Sequence, residues 1–150
     1  MEAQEEADEL GPIDVVVIAF PAGAPMTGEA IPLVWDLVER GIIRVLDVMF
    51  ATKDEDGRVY GFEATDLEGK GLSELREFEG ASSGLLGDDD IATAAEALDP
   101  GSSAVLIMYE NRWAAPFAAA VRRNGGVPVA FERVRPDDFL AALEAAEAAA

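Results

Sequence analysis

Residues 102–126 read SSAVLIMYENRWAAPFAAAVRRNGG, and this stretch decides the fold. It contains a short apolar run, Ala104 to Tyr109, which is typical of a buried strand. A turn at Glu110-Asn111 follows, and then a helical run that stops at the double glycine Gly125-Gly126. The same succession of strand, turn, helix and glycine occurs once earlier, from Asp14 to Gly41. The repeat predicts two strand–helix units in one domain.

The earlier unit begins with the continuous apolar run Ile13 to Phe20, which predicts a strand buried on both faces or at the centre of a sheet. A helix follows, with Thr27 as its expected N-cap and Gly41 as its stop signal. Pro32 is compatible with this helix only in or just after the first turn, where backbone amides lack helical partners.

A second strand is predicted over residues 43–52, where Asp47 interrupts apolar positions on both faces. Asp56-Gly57 is a hairpin signal, and it leads into a third strand over 58–66 that alternates like a sheet edge. Because a hairpin joins these two strands, they run antiparallel.

The remaining segments are less regular. Residues 1–12 are an acidic leader, which we expect to be mobile. Residues 67–101 predict a helical insertion, with a helix that opens at Asp88-Asp89-Asp90. A fifth strand is expected over 127–134, where Pro128 favours a sheet edge. The Ala- and Glu-rich residues 135–150 predict a C-terminal helix.

Interleaving the two strand–helix–strand units predicts a ferredoxin-like α+β sandwich over residues 13–134. We expect about five strands, mostly antiparallel, in the order fifth, first, fourth, second, third. The helices cover one face of this sheet, apart from the insertion at 67–101. A fully parallel α/β sheet is the alternative fold, and the hairpin at 53–58 disfavours it.

The composition excludes several classes of function. The chain has no cysteine and no histidine, so it has no thiolate nucleophile, no Ser-His-Asp triad and no Cys/His zinc site. Its formal net charge is −19, which repels both nucleic-acid phosphates and anionic membranes. The acidic start and the lack of a long apolar run predict a cytoplasmic protein. We expect no cofactor and no metal.

Three segments carry a resemblance to a known family: Gly11 to Asp14, Gly41 to Asp47, and Ser103 to Trp113 with its Glu-Asn-Arg-Trp-Ala sequence. Over about Gly11 to Val134 the chain resembles an uncharacterised family of small proteins from high-GC bacteria, known as a domain of unknown function. That family is similar to ferredoxin-like, stress-associated proteins. The resemblance implies a fold and an association with stress physiology, and it transfers no site residues.

Strand ends and helix starts gather ligands in such sheets, so the turn after the fourth strand is a candidate site. The candidate ligand-binding residues are Trp35, Arg44, Glu110, Arg112 and Trp113. A purely structural interpretation is that Asn111 caps the following helix and Trp113 packs onto the sheet. In that interpretation Glu110 forms an ion pair with Arg112 or Arg44.

Two further features suggest contacts with a partner. Leu85 and Leu86 lie between glycines, which favours an exposed apolar contact point. Asp47 in an apolar strand is expected to bind Arg44 or an arginine of a second copy. The three aspartates at 88–90 are better explained by helix capping than by a cation site, because adjacent carboxylates cannot all face one ion.

These observations favour a non-enzymatic, self-associating or partner-binding module, which the resemblance links to stress. A homodimer is the first expectation, and a basic protein is a further candidate partner. The alternative is a regulatory domain that binds a small ligand. A cofactor-free, ferredoxin-like enzyme comes third, with candidate residues Trp35, Asp47, Tyr60, Tyr109 and Trp113.

Overall fold

The computed structural model describes residues 10–24, 29–63, 84–127 and 132–150. In chain order the described elements are β1 (Ile13–Phe20), α1 (Ile31–Glu39), β2 (Ile43–Lys53), β3 (Val59–Glu63), α2 (Asp88–Glu96), β4 (Ser103–Asn111), a 3₁₀ turn (Arg112–Ala114), α3 (Ala115–Arg123) and α4 (Pro136–Ala149). The chain divides into two compact units, Met1–Ala120 and Val121–Ala150. The sheet belongs to the first unit.

The four described strands form one antiparallel sheet in the order β1-β4-β2-β3. Both β1 and β2 are antiparallel to β4, which lies between them, so they are parallel to each other. The prediction of an α+β fold with this order of four strands is therefore confirmed. Residues 128–131 of the predicted fifth strand lie outside the described residues, and its other residues, 127 and 132–134, are not in a strand.

The two faces of the sheet are covered by different helices. On one face Val48 and Phe50 are buried beneath Ile31, Val34 and Trp35 of α1. On the other face Ala51, Ala104 and Leu106 form a cluster with Leu86 and with Ala94 and Leu98 from the α2 region. Because successive side chains of a strand point to opposite faces, α1 and α2 lie on opposite sides of the sheet. The insertion helix, which the expectation of one covered face left aside, thus covers part of the other face.

A glycine with positive φ lies in the turn on each side of β2. Gly41 has φ +71°, and the amide of Ile42 donates to the carbonyl of Leu37 at 3.0 Å, which closes α1 in a Schellman motif. Gly57 has φ +87° in the hairpin, where the carboxylate of Asp54 accepts hydrogen bonds from two loop amides. Both predicted turns are confirmed. Thr27, the expected N-cap, and residues 67–83 of the predicted insertion lie outside the described residues.

Lys53, at the end of β2, caps the C-terminal end of α2. Its ammonium group donates hydrogen bonds to the carbonyls of Ala95 (3.2 Å) and Leu98 (3.1 Å). The last carbonyls of a helix have no helical partner and carry partial negative charge, so a cation stabilises them. Lys53 thereby ties the insertion helix to the sheet.

Lys53→Met is expected to lower the free energy of unfolding by about 2 kcal/mol, because it removes two charge-assisted hydrogen bonds. Urea unfolding measures the change. Arg58→Met is the matched control, since Arg58 is an exposed cation near the start of the neighbouring strand. Equal losses in the two variants would show that the contacts of Lys53 with α2 contribute nothing specific.

Candidate interaction surface

Glu110 is a buried carboxylate at the end of β4. Its side chain is 4 % exposed, and one oxygen accepts a hydrogen bond from the backbone amide of Gly11 at 2.8 Å. The other oxygen lies 3.0 Å from the guanidinium of Arg44, which is directly opposite on β2. Of the two partners predicted for Glu110, Arg44 and Arg112, the structure shows Arg44. The carboxylate therefore joins β2, β4 and the chain that enters β1.

Gly11 is required at this junction. A Cβ atom at this position would collide with the backbone carbonyl of Asn111 and come close to the amide of Ala115. Glycine has no Cβ, so it allows the two backbones to approach this closely. The chain entering β1 is thus held against the start of α3.

Asn111 continues the same junction and does not cap the helix that follows. Its side-chain amide donates to the carbonyl of Pro12 (3.0 Å) and to the carboxylate of Asp14 (2.8 Å). Its side-chain oxygen accepts from the indole N–H of Trp113 at 3.3 Å. The 3₁₀ turn has no side-chain cap. The capping role predicted for Asn111 is wrong, because its amide is used to bind the β1 segment.

Asp47 is 1 % exposed and holds the turn before α2. One carboxylate oxygen accepts from the amide of Val48 (2.9 Å), and the other accepts from the amide of Leu86 (2.8 Å). Leu86 is buried, while Leu85 is 59 % exposed. The expectation of an exposed leucine pair is therefore wrong for Leu86, because the contact with Asp47 directs it into the core.

One row of apolar side chains along β1 is half-exposed, and Ile18 on the opposite side of the strand is 41 % exposed. We call Ile13, Val15, Val17 and Ala19 the β1 row; the first three are 49 %, 47 % and 43 % exposed. They pair in register with residues of β4 that face α2, so they lie on the same side of the sheet as α2. The row is a continuous apolar strip beside a covered core.

Comparison with known proteins places the chain in a family. Residues 9–149 match the model of a family of unknown function, DUF6325. The chain belongs to this family. No curated protein and no solved structure matches it significantly. The family description names no activity, so the function of this DUF6325 chain has to be argued from its own surface.

The candidate ligand-binding residues of the DUF6325 chain do not form one site. Trp35 belongs to the cluster on the α1 face, together with Val45 of β2. Arg44 neighbours Val45 along β2, so it points to the opposite face, where it pairs with Glu110. The sheet thus separates Trp35 from the Arg44–Glu110 pair. Among the described residues, no group of acidic side chains is arranged to hold a metal ion.

Trp113 and Phe117 form a second exposed apolar feature. They are 66 % and 72 % exposed, whereas Ala114 and Ala118, one position further along, are buried. The expectation that Trp113 packs onto the sheet is wrong. The four-residue spacing of the aromatic residues matched a helical face, but the alanines at the same spacing occupy the buried face. Arg112, also exposed, adjoins the pair.

The C-terminal helix α4 exposes Phe139, Leu140 and Leu143 within its own unit. None of the helices among the described residues is long and apolar enough to span a membrane.

Of the remaining candidate residues, Tyr60 is 45 % exposed on β3, and Tyr109 is partly buried on β4.

The sequence reasoning missed the β1 row as a surface. An uninterrupted apolar run of eight residues is typical of a strand covered on both faces, and this rule assigned the whole of β1 to the interior. No signal within the run marks the exposed row, because its exposure is decided by the placement of α2. This helix packs chiefly over β2 and β3, at the far side of the sheet from β1.

Proposed function

We propose that this protein is a non-enzymatic module that self-associates, and that a second copy covers the β1 row. The observation that supports this proposal is the half-exposure of Ile13, Val15 and Val17 on one strand. Apolar side chains at scattered surface positions are normal, but a contiguous apolar strip marks an interaction site. Burying the row against a second copy stabilises the dimer by about 25 cal/mol per Å² of apolar area removed from water. The loss of translational and rotational freedom on association opposes this gain.

The charge distribution favours this surface for contact between identical copies. Each copy carries a formal charge of −19, so two copies repel one another wherever acidic residues meet. From Val15 to Phe20, β1 has no charged side chain, and the buried Glu110 near its start is paired with Arg44. The β1 side of the sheet therefore lets two copies approach with little local repulsion. Salt should strengthen the dimer, because it screens the remaining long-range repulsion.

Val17→Lys is expected to convert a dimer into a monomer. The substitution puts a strongly hydrated ammonium group in the centre of the contact, where burying it without a partner is unfavourable. It also reduces the net negative charge, so weaker association could not be ascribed to greater overall repulsion. Multi-angle light scattering at micromolar concentration measures the mass, which should fall from twice 15.9 kDa to 15.9 kDa.

Leu33→Lys is the matched control for this experiment. Leu33 is 67 % exposed on α1, and the same charge is introduced there away from the β1 row. We expect this variant to remain dimeric. A monomeric unsubstituted chain would contradict self-association, and a dimer unaffected by Val17→Lys would contradict the β1 row as its surface.

Partner binding is the second candidate function, and the Trp113–Phe117 pair favours it. Tryptophan and arginine are enriched among the residues that dominate binding energy at interfaces. The indole of Trp113 is held by Asn111, so less side-chain entropy is lost when a partner packs against it. Trp113→Ser tests whether this pair also takes part in self-association. If the variant weakens association as strongly as Val17→Lys does, the self-association surface includes the Trp113–Phe117 pair. The ferredoxin-like description and the link to stress remain proposals from the resemblance.

A further inference from the structure

We infer that the second copy adds its own β1 strand to the free edge of the sheet, antiparallel, in a register centred on Val16. This inference rests on the proposed self-association and specifies its geometry. Within the described residues β1 pairs with β4 alone, and no strand among them lies along its other edge. An open strand edge is a row of unpaired donors and acceptors that another strand can complete.

The hydrogen bonds of β1 show which residues face the open edge. The amide of Asn111 donates to the carbonyl of Pro12 at 2.8 Å, so the carbonyl of Pro12 points toward β4. In an antiparallel ladder the backbone groups of alternate residues point to opposite edges. Asp14, Val16 and Ile18 therefore bond to β4. The outward groups belong to Ile13, Val15, Val17 and Ala19, the residues of the β1 row.

Only one register of two β1 strands uses all of these groups. When Val16 lies opposite Val16 of the second copy, Ile13 pairs with Ala19 and Val15 pairs with Val17. These pairs and their symmetry mates satisfy every outward amide and carbonyl of the row. A register centred on Val17 would place Ile13 opposite Pro21, which has no amide donor. A register centred on Val15 would place Ala19 opposite Gly11, whose amide is bound to Glu110.

The charges of the strand agree with the same register. Asp14 is the one charged residue between Ile13 and Phe20. Centring on Val16 puts Asp14 opposite Ile18, and the two Asp14 residues are then four positions apart, about 13 Å along the strands. This distance exceeds the screening length of about 8 Å at physiological ionic strength. Centring on Val15 would halve the separation.

A second copy also suits this edge better than the alternatives do. The other edge strand, β3, has five residues and follows the acidic loop Asp54–Asp56, so two copies would repel one another there. The chain's own segment 127–134, the predicted fifth strand, is not in strand conformation at 127 or at 132–134. It also contains Pro128. A second β1 offers eight residues with all the required donors.

Introduced cysteines test the register, because the natural chain has no cysteine. In the proposed register Val16 faces its own copy as a non-hydrogen-bonded pair with a Cα separation of about 4.5 Å, which lies within disulfide range. Val16→Cys is therefore expected to form a disulfide-linked dimer in nearly full yield under mild oxidation. Val17→Cys is the matched control. Its two copies are offset by two residues, about 8 Å apart, which is too far for a disulfide.

The outcomes separate this inference from the proposed function. Light scattering of the unsubstituted chain tests association first, and a monomer would overturn both. A dimer in which Val17→Cys cross-links and Val16→Cys does not would overturn the register. A dimer in which neither variant cross-links would overturn the register centred on Val16. If Val15→Cys also fails to cross-link, edge pairing is overturned as well, and another surface is the contact, including the case where residues 127–134 occupy the edge.

Discussion

Asp47→Ala is expected to lower the free energy of unfolding by about 3 kcal/mol. The carboxylate accepts from two backbone amides, those of Val48 and Leu86, at a position that is 1 % exposed. Its removal leaves both donors without this acceptor, and each buried unsatisfied donor costs about 1–3 kcal/mol. Leu86 also loses the contact that directs it into the core. The effect therefore extends to the turn before α2.

Asp47→Asn is the matched control for this substitution. The amide keeps one oxygen that can accept a hydrogen bond, but its NH2 group must then face the other backbone donor. We expect a loss between zero and that of the alanine variant. Chemical unfolding measures both, and hydrogen exchange at the Leu86 amide reports the local effect. Unchanged exchange at Leu86 in Asp47→Ala would contradict the role of Asp47 in holding this turn.

Glu110→Ala has the second largest expected effect, also about 3 kcal/mol. The substitution removes the acceptor of the buried Gly11 amide and the counter-charge of Arg44. Breaking a buried ion pair from one side costs about 3–5 kcal/mol when the remaining charge stays buried. The side chain of Arg44 is 47 % exposed and can be hydrated, so the lower end of that range applies. Urea unfolding measures the loss.

Asp36→Ala provides the comparison for Glu110→Ala. It breaks the Arg40–Asp36 pair, whose side chains are 58 % and 56 % exposed, and exposed pairs are worth about 0–1 kcal/mol. Glu110→Gln should lie between the two, because it keeps an acceptor for Gly11 but loses the charge. Similar losses in Glu110→Ala and Asp36→Ala would show that burial adds nothing to the Glu110 pair.

Much of the fold follows from local patterns along the chain. The predicted bounds of β1 agree with the structure, and so does the order of the four described strands. Apolar runs, glycine stops and the Asp56-Gly57 turn act over a few residues, so their effect can be read without knowledge of distant contacts. The ion pair of Glu110 with Arg44 was one of two alternatives, and the pairing of β2 with β4 decided between them.

Which face of each helix or strand is buried depended on tertiary contacts. Trp113 and Phe117 have the spacing of a buried helical face, yet the alanines beside them are buried. Asn111 has the chemistry of a helix cap, yet its amide binds Pro12 and Asp14, 99 and 97 residues away in sequence. Spacing shows which residues share a face, but it does not show which face meets another element.

The sequence by itself determined the strands of this protein, their turns and the absence of cysteine and histidine chemistry, because these depend on residue type and local order. Only the tertiary structure decided which apolar residues are covered. Residues 13–20 form one uniform apolar run, and the half-exposure of the β1 row arises because α2 covers other strands. Burial is a property of two surfaces in contact, and one segment of sequence describes only one of them.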